Sequence, residues 1–120
     1  MASHPIVHVE IATNDAKGSG AFYGDLFGWN IRRDDGLNYT MWSSQDGPGG
    51  GFSSIGEYGI RPHDTLVYVA TDDMDATLAK VAQLGGRVIM PATEIPGTGW
   101  MAIFEDPYGG RLGLYKDMPR

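Results

Sequence analysis

One stretch of this chain occurs twice. HVEIATNDAKGSGAFYGDLFGWNI (residues 8–31) lies on LVYVATDDMDATLAKVAQLGGRVI (66–89) without a gap at an offset of 58. The two copies share Val9/Val67, Ala12/Ala70, Thr13/Thr71, Asp15/Asp73, Ala21/Ala79, Leu26/Leu84, Gly28/Gly86 and Ile31/Ile89. At an offset of 60, MWSSQDGPGG (41–50) lies on MAIFEDPYGG (101–110), matching at Met41/Met101, Asp46/Asp106, Gly49/Gly109 and Gly50/Gly110. The change of offset needs only a small loop insertion. A duplication is a strong constraint, because any fold proposed for one unit must also serve the other. The expected units are residues 4–57 and 64–116, joined by a linker at 58–63.

Each unit reads as β-α-β-β-β. Val7 to Ala12 and Thr65 to Ala70 are rich in β-branched and aromatic residues and are expected to be strands. Asn14 and Asp72 stand where a helix N-cap belongs, and Asp73 and Asp75 suit the first turn of the second helix. Met74, Leu78, Val81 and Ala82 make one apolar stripe on that helix. The first helix carries Gly18, Gly20 and Gly24, each costing roughly 1 kcal/mol against Ala, so it is expected to rely on packing through Phe22, Leu26 and Phe27. Gly28 and the pair Gly85–Gly86 end the helices. Three further strands are expected in each unit, near 29–34, 38–44 and 50–55, then near 87–92, 99–105 and 111–116. DGPGG (46–50) and DPYGG (106–110) supply turns. GPGGGFSS (47–54) lacks the lysine and following helix of a phosphate loop and is read as a plain loop. Trp42 and Trp100 are expected in the core, and His4 and His63 at the surface.

The fold class is therefore α+β, with two βαβββ repeats whose mixed, curved sheets enclose a cleft. One helix covers one face of each sheet, and the other face needs a partner unit or a second chain. The 120 residues carry a formal net charge of −6 and no cysteine. No clustered Lys or Arg suits a nucleic acid, and thiol catalysis, disulfides and cysteine-based zinc sites are excluded. The N-terminus lacks a signal-peptide layout, and no apolar run approaches the ~18 residues of a membrane span, so no membrane partner and a cytoplasmic location are expected. Covering the exposed sheet faces and edges favours a homodimer.

The duplicated unit, with HVEIATND and AFYGDLFGW in one copy and VYVATDDMDATLAKVAQLGGRV and PATEIPGTGWMAIFEDPYGGRLGLY in the other, resembles the vicinal oxygen chelate (glyoxalase/bleomycin resistance/dioxygenase) superfamily. The resemblance covers nearly the whole chain. It implies four metal ligands in the metal-dependent members, one on the first and one on the last strand of each unit. Carried onto this sequence, those positions are His8, Leu66, Ser53 and Gly113. Only His8 is a strong ligand, so no metal and no other cofactor is expected.

Strand side chains alternate, so if His8 faces the cleft, Glu10 does too. The same alternation gives a lining of His8, Glu10, Ser53, Ile55, Leu66, Tyr68, Arg111 and Tyr115. That lining suits a small, partly polar organic ligand. Partly desolvated, Glu10 is a candidate general base; equally, it could pair with Arg111 or His8 as a structural ion pair. The resemblance leaves three readings: a binder of a small organic molecule in the manner of bleomycin-resistance proteins, a glyoxalase-like lyase, isomerase or dioxygenase, and a metabolite-binding domain or enzyme subunit.

Overall fold

The computed structural model describes residues 3–119. The elements run β1 (Ile6–Thr13), α1 (Ala16–Phe27), β2 (Asn30–Asp34), β3 (Tyr39–Ser43), β4 (Gly49–Ser54), β5 (Thr65–Ala70), α2 (Met74–Gln83), β6 (Arg87–Ile95), β7 (Gly99–Glu105) and β8 (Arg111–Asp117). The chain divides into two compact units, residues 7–66 and residues 1–6 with 67–120. The segment 58–63 folds with the first of these: Ile60 is buried, its N–H donates to the Glu57 carbonyl, and Gly56 donates to the Ile60 carbonyl. Residues at the N-terminus join the other: the Ala70 N–H donates to the Pro5 carbonyl, and His4 Nδ1 lies 2.9 Å from the Ala70 carbonyl.

In the unit 7–66, β1 runs parallel to β4, and β4, β3 and β2 follow one another antiparallel. In the second unit β5 is parallel to β8, and β8, β7 and β6 are antiparallel. Most of the strands, though not their pairing, can be read off the composition. Val, Ile, Thr, Tyr and Trp fill the strands, whereas Gly28, Gly85 and Gly109 adopt positive φ between elements. The strand expected near 50–55 is β4, Gly49–Ser54, so the loop reading of GPGGGFSS holds only for its first two residues; the glycines of β4 make room for side chains of the neighbouring strands rather than for a bend.

Both helices begin one residue later than expected. Asp15 and Asp73, not Asn14 and Asp72, have extended backbones and accept from the N–H groups of Gly18 and Ala76, each at 3.0 Å. Asn14 and Asp72 lose the position because Thr13 and Thr71 hydroxyls accept from the N–H groups of Asp15 and Asp73, fixing the cap after one more residue.

The first helix does not bury the side expected of it. Phe22 is 61% exposed, Leu26 57% and Phe27 58%. Its glycines face the sheet instead: a Cβ on Gly20 would lie 3.0 Å from Ile31 Cγ2, and one on Gly24 3.2 Å from Ile31 Cγ1. The helix sits so close to β2 that only glycine fits without displacing Ile31. Tyr23 then fills the gap, stacked on Phe52 and Trp29, and Trp29 stacks on Trp42 at 4.0 Å between ring centroids. In the second unit Met74, Ala102 and Leu114 form the buried core, with Val69, Leu78, Trp100 and Phe104 packed on it. Ala82 of the expected stripe is exposed. In each unit the helix thus covers one sheet face, and the opposite face carries the polar residues considered next.

Candidate functional site

On β1 of the unit 7–66, His8, Glu10 and Ala12 share the face away from α1. The parallel ladder sets Glu10 opposite Gly51 and Ala12 opposite Ser53, and the antiparallel ladder sets Gly51 opposite Met41. Tyr39, two residues before Met41, is therefore on the same face. These four polar side chains meet. Glu10 is buried, with 6% of its surface exposed. Ser53 Oγ donates to Glu10 Oε1 at 2.6 Å. The Tyr39 hydroxyl donates to Glu10 Oε2, which also meets His8 Nε2. His8 Nε2 lies 3.0 Å from the Tyr39 hydroxyl.

A carboxylate buried alone would cost several kcal/mol. Here each oxygen has a donor, and the network needs every member in place. Beside it lies a cavity of about 290 Å³. His8, Asn30, Arg32 and Ser43 line its polar side, with Met41, Trp42 and Val7 and the backbone of Gly49 and Gly50. Its hollow has a simple origin. Beside His8, β4 offers only Gly49 on this face, so no side chain rises there from the middle strand, whereas the place over Gly51 is taken by Tyr39.

The expected lining residues fall into two groups. His8, Glu10, Ser53, Ile55 and Leu66 belong to the unit 7–66, and Tyr68, Arg111 and Tyr115 to the other. In the first group His8, Glu10 and Ser53 come together. Ile55 is half-buried just past β4, its N–H donating to the Thr13 carbonyl, and Leu66 is buried. In the second, Arg111 Nε donates to Glu105 at 3.3 Å, and Arg87 donates to the other oxygen of Glu105 at 3.1 Å. The two guanidinium groups, Arg87 foremost, hold the Glu105 carboxyl below its usual range. Tyr115 donates to the Thr98 carbonyl at 3.2 Å, and its phenol is pushed up to about 12, first by burial and then by the Asp117 carboxylate. Of the two structural pairings open to Glu10, the one with His8 forms.

Sequence reasoning missed Tyr39, Asn30, Arg32 and Ser43. Tyr39 has no aromatic repeat counterpart, since Gly99 stands at the 60-residue offset. The other three become neighbours only through the β2–β3 register, Asn30 opposite Ser43 and Arg32 opposite Met41.

The ladder also corrects one of the four positions implied by the resemblance. Glu10 and Tyr68 are repeat counterparts, and they lie opposite Gly51 and Gly113 respectively. The counterpart of Gly113 is thus Gly51, not Ser53, and Ser53 corresponds instead to Tyr115, which lies opposite Ala70 as Ser53 lies opposite Ala12. Both glycines are covered by tyrosine. A Cβ on Gly51 would lie 1.8 Å from the Tyr39 hydroxyl oxygen, and one on Gly113 2.5 Å from the Tyr68 ring. The superfamily's metal does not fit these residues. His8 is the one strong donor of the four positions, Leu66 is an apolar side chain, and the space of both glycines is taken by rings. The oxygens of Glu10 are already engaged by Ser53, Tyr39 and His8.

Residues 5–114 match the family model described as the Glyoxalase/Bleomycin resistance protein/Dioxygenase superfamily. This chain belongs to that superfamily. CFP32 of Mycobacterium bovis is 38% identical over 85 residues, 71% of this chain and 32% of that protein. The anthracycline biosynthesis protein DnrV of Streptomyces peucetius is 32% identical over 126 aligned positions, 89% of this chain and 45% of DnrV. The chain thus spans less than half the length of the curated relatives it matches. The methylmalonyl-CoA epimerase of Mycobacterium tuberculosis shares its fold, with a TM-score of 0.70 at 15% identity, over 99% of this chain and 93% of the epimerase. Among the described residues no helix is long and apolar enough to cross a membrane.

Proposed function

We propose that this member of the superfamily binds a small, partly polar organic molecule on the sheet face carrying His8, Glu10, Tyr39 and Ser53, and that it does so without the superfamily's catalytic metal. The observation that carries this reading is the satisfied Glu10 network beside a cavity that shares His8 with it. A buried, fully bonded polar group next to a hollow is a preorganised surface for hydrogen bonding a ligand. A homodimer and a cytoplasmic location complete the reading; both rest on the exposed sheet faces and on the sequence.

A second reading makes the chain a lyase, isomerase or dioxygenase of the same superfamily. Its support is the contact of Glu10 with both an imidazole and a phenol, three groups able to exchange protons. In that case Glu10 is the base, and the proton it takes passes to the unprotonated Nε2 of His8.

Calorimetric titration of chelator-treated protein with Zn²⁺, Ni²⁺, Co²⁺, Mn²⁺ and Fe²⁺, with His8→Ala as control, tests the metal-free reading. No stoichiometric heat is expected. Tight binding of one ion per chain, abolished in His8→Ala, would overturn it and direct attention to metal-dependent turnover. Glu10→Gln separates the two readings: a binder keeps no activity to lose, whereas an enzyme loses turnover while retaining ligand.

A further inference from the structure

The cavity beside His8 has a charge character that the rest of the chain does not share. The protein has 15 acidic and 9 basic residues. Even so, the residues lining this hollow include one guanidinium, Arg32, and no carboxylate. The other described arginines are engaged. Arg33 donates to Asp35, Asn38 and Thr40, Arg61 pairs with Asp64, and Arg87 and Arg111 share Glu105. Arg32 has no side-chain hydrogen bond or ion pair to any other described residue. A planar fork of donors left open at the edge of a hollow is suited to one kind of group, a carboxylate taken in bidentate fashion.

We infer that the hollow holds a small organic carboxylate, its anionic group paired with Arg32. Asn30 and Ser43, set opposite each other on β2 and β3, supply further donors beside the guanidinium. Met41 and Val7 supply apolar surface for the body of the molecule. At about 290 Å³ the cavity lies at the lower end of the range for small-molecule sites, which suits a ligand of metabolite size. The far side of the ligand meets His8, and through it Glu10. This inference rests on the proposed binding function and narrows it: the ligand is an acid, not a cation attracted by the acidic surface.

The test is an NMR fragment screen on ¹⁵N-labelled full-length protein, using benzoate and phenylacetate, the matched amides, and the matched amines. Wild type, Arg32→Gln and Arg32→Lys are compared at low and high salt. The acids are expected to shift the resonances of β1 and β3 around His8 and Met41, and their affinity to fall at least tenfold in Arg32→Gln. Arg32→Lys should restore part of the loss, because the charge returns without the fork, and added salt should weaken binding in wild type. Arg32 is exposed, so unchanged melting of both variants confirms an intact fold. If amides or amines shift the same resonances as strongly, or if Arg32→Gln binds the acids as well as wild type, the assignment of an acid falls while the binding function stands. If no fragment of any class shifts them, the inference and the proposed site fail together.

Discussion

Tyr39 stands over Gly51. Its hydroxyl oxygen occupies the place where a side chain on Gly51 would begin, with 1.8 Å between that oxygen and a Cβ built on the glycine. From this position the hydroxyl reaches Glu10. The absent side chain is therefore what seats the phenol, and the phenol is part of what makes a buried carboxylate tolerable on β1.

Gly51→Ala should displace Tyr39 and destabilise the protein by about 1–3 kcal/mol, the usual cost of overpacking. In a Tyr39→Ala background the same substitution should cost much less, since the ring is gone. Urea denaturation of the four proteins closes the cycle. Equal costs in both backgrounds would mean that the strand itself, not the tyrosine, requires glycine.

Ser53→Ala removes the donor of Glu10 Oε1 and should cost about 1–3 kcal/mol, because the oxygen stays buried. In Glu10→Leu the serine has no carboxylate to serve, and adding Ser53→Ala should then cost little. Additive losses in the double variant would show that Ser53 stabilises the fold by some other contact.

The helix caps can be separated by alanine. Asp73→Ala should cost about 1 kcal/mol, as the loss of an N-cap does. Asp72→Ala, outside the cap, should change stability by no more than about 0.5 kcal/mol. Thermal melts of the two variants decide the matter, and the reverse order would return the cap to the position suggested by sequence.

Tyr115 predicts an alkaline effect. Its folded pKa, raised to about 12 from an ordinary 10.0, means that the folded state favours the neutral phenol. Its contribution to stability is thus complete below pH 10 and lost as the pH climbs from there to about 12. Across this range wild type should lose more stability than Tyr115→Phe. The phenolate absorbance that distinguishes the two proteins should appear only near the upper end. Ionisation of Tyr115 at its ordinary pKa would contradict its burial.

The β-α-β-β-β order, the strands and the two helices were legible because periodicity and glycine placement are local properties. The duplication added to them, since two weak patterns in register support each other. His8, Glu10 and Ser53 were legible for the same reason: alternation along a strand assigns faces. Beyond that the sequence failed in identifiable ways. Phe22, Leu26 and Phe27 look like the buried side of a helix, but Gly20 and Gly24 allow an approach to Ile31 that turns them outward, and no count of apolar residues reveals how near a helix will sit. The pairing of Gly51 with Gly113 required the ladder, because an insertion between repeats slides one strand against the other without marking the sequence. Tyr39 and Arg32 joined the site only through cross-strand register. The sequence by itself thus determined the repeated unit, the face on which Glu10 lies and the poverty of metal ligands. Which side chains crowd Glu10, and where the hollow beside His8 opens, were decided by tertiary structure. Those depend on which residues of different strands stand opposite one another, a relation set by hydrogen-bond register and packing rather than by order along the chain.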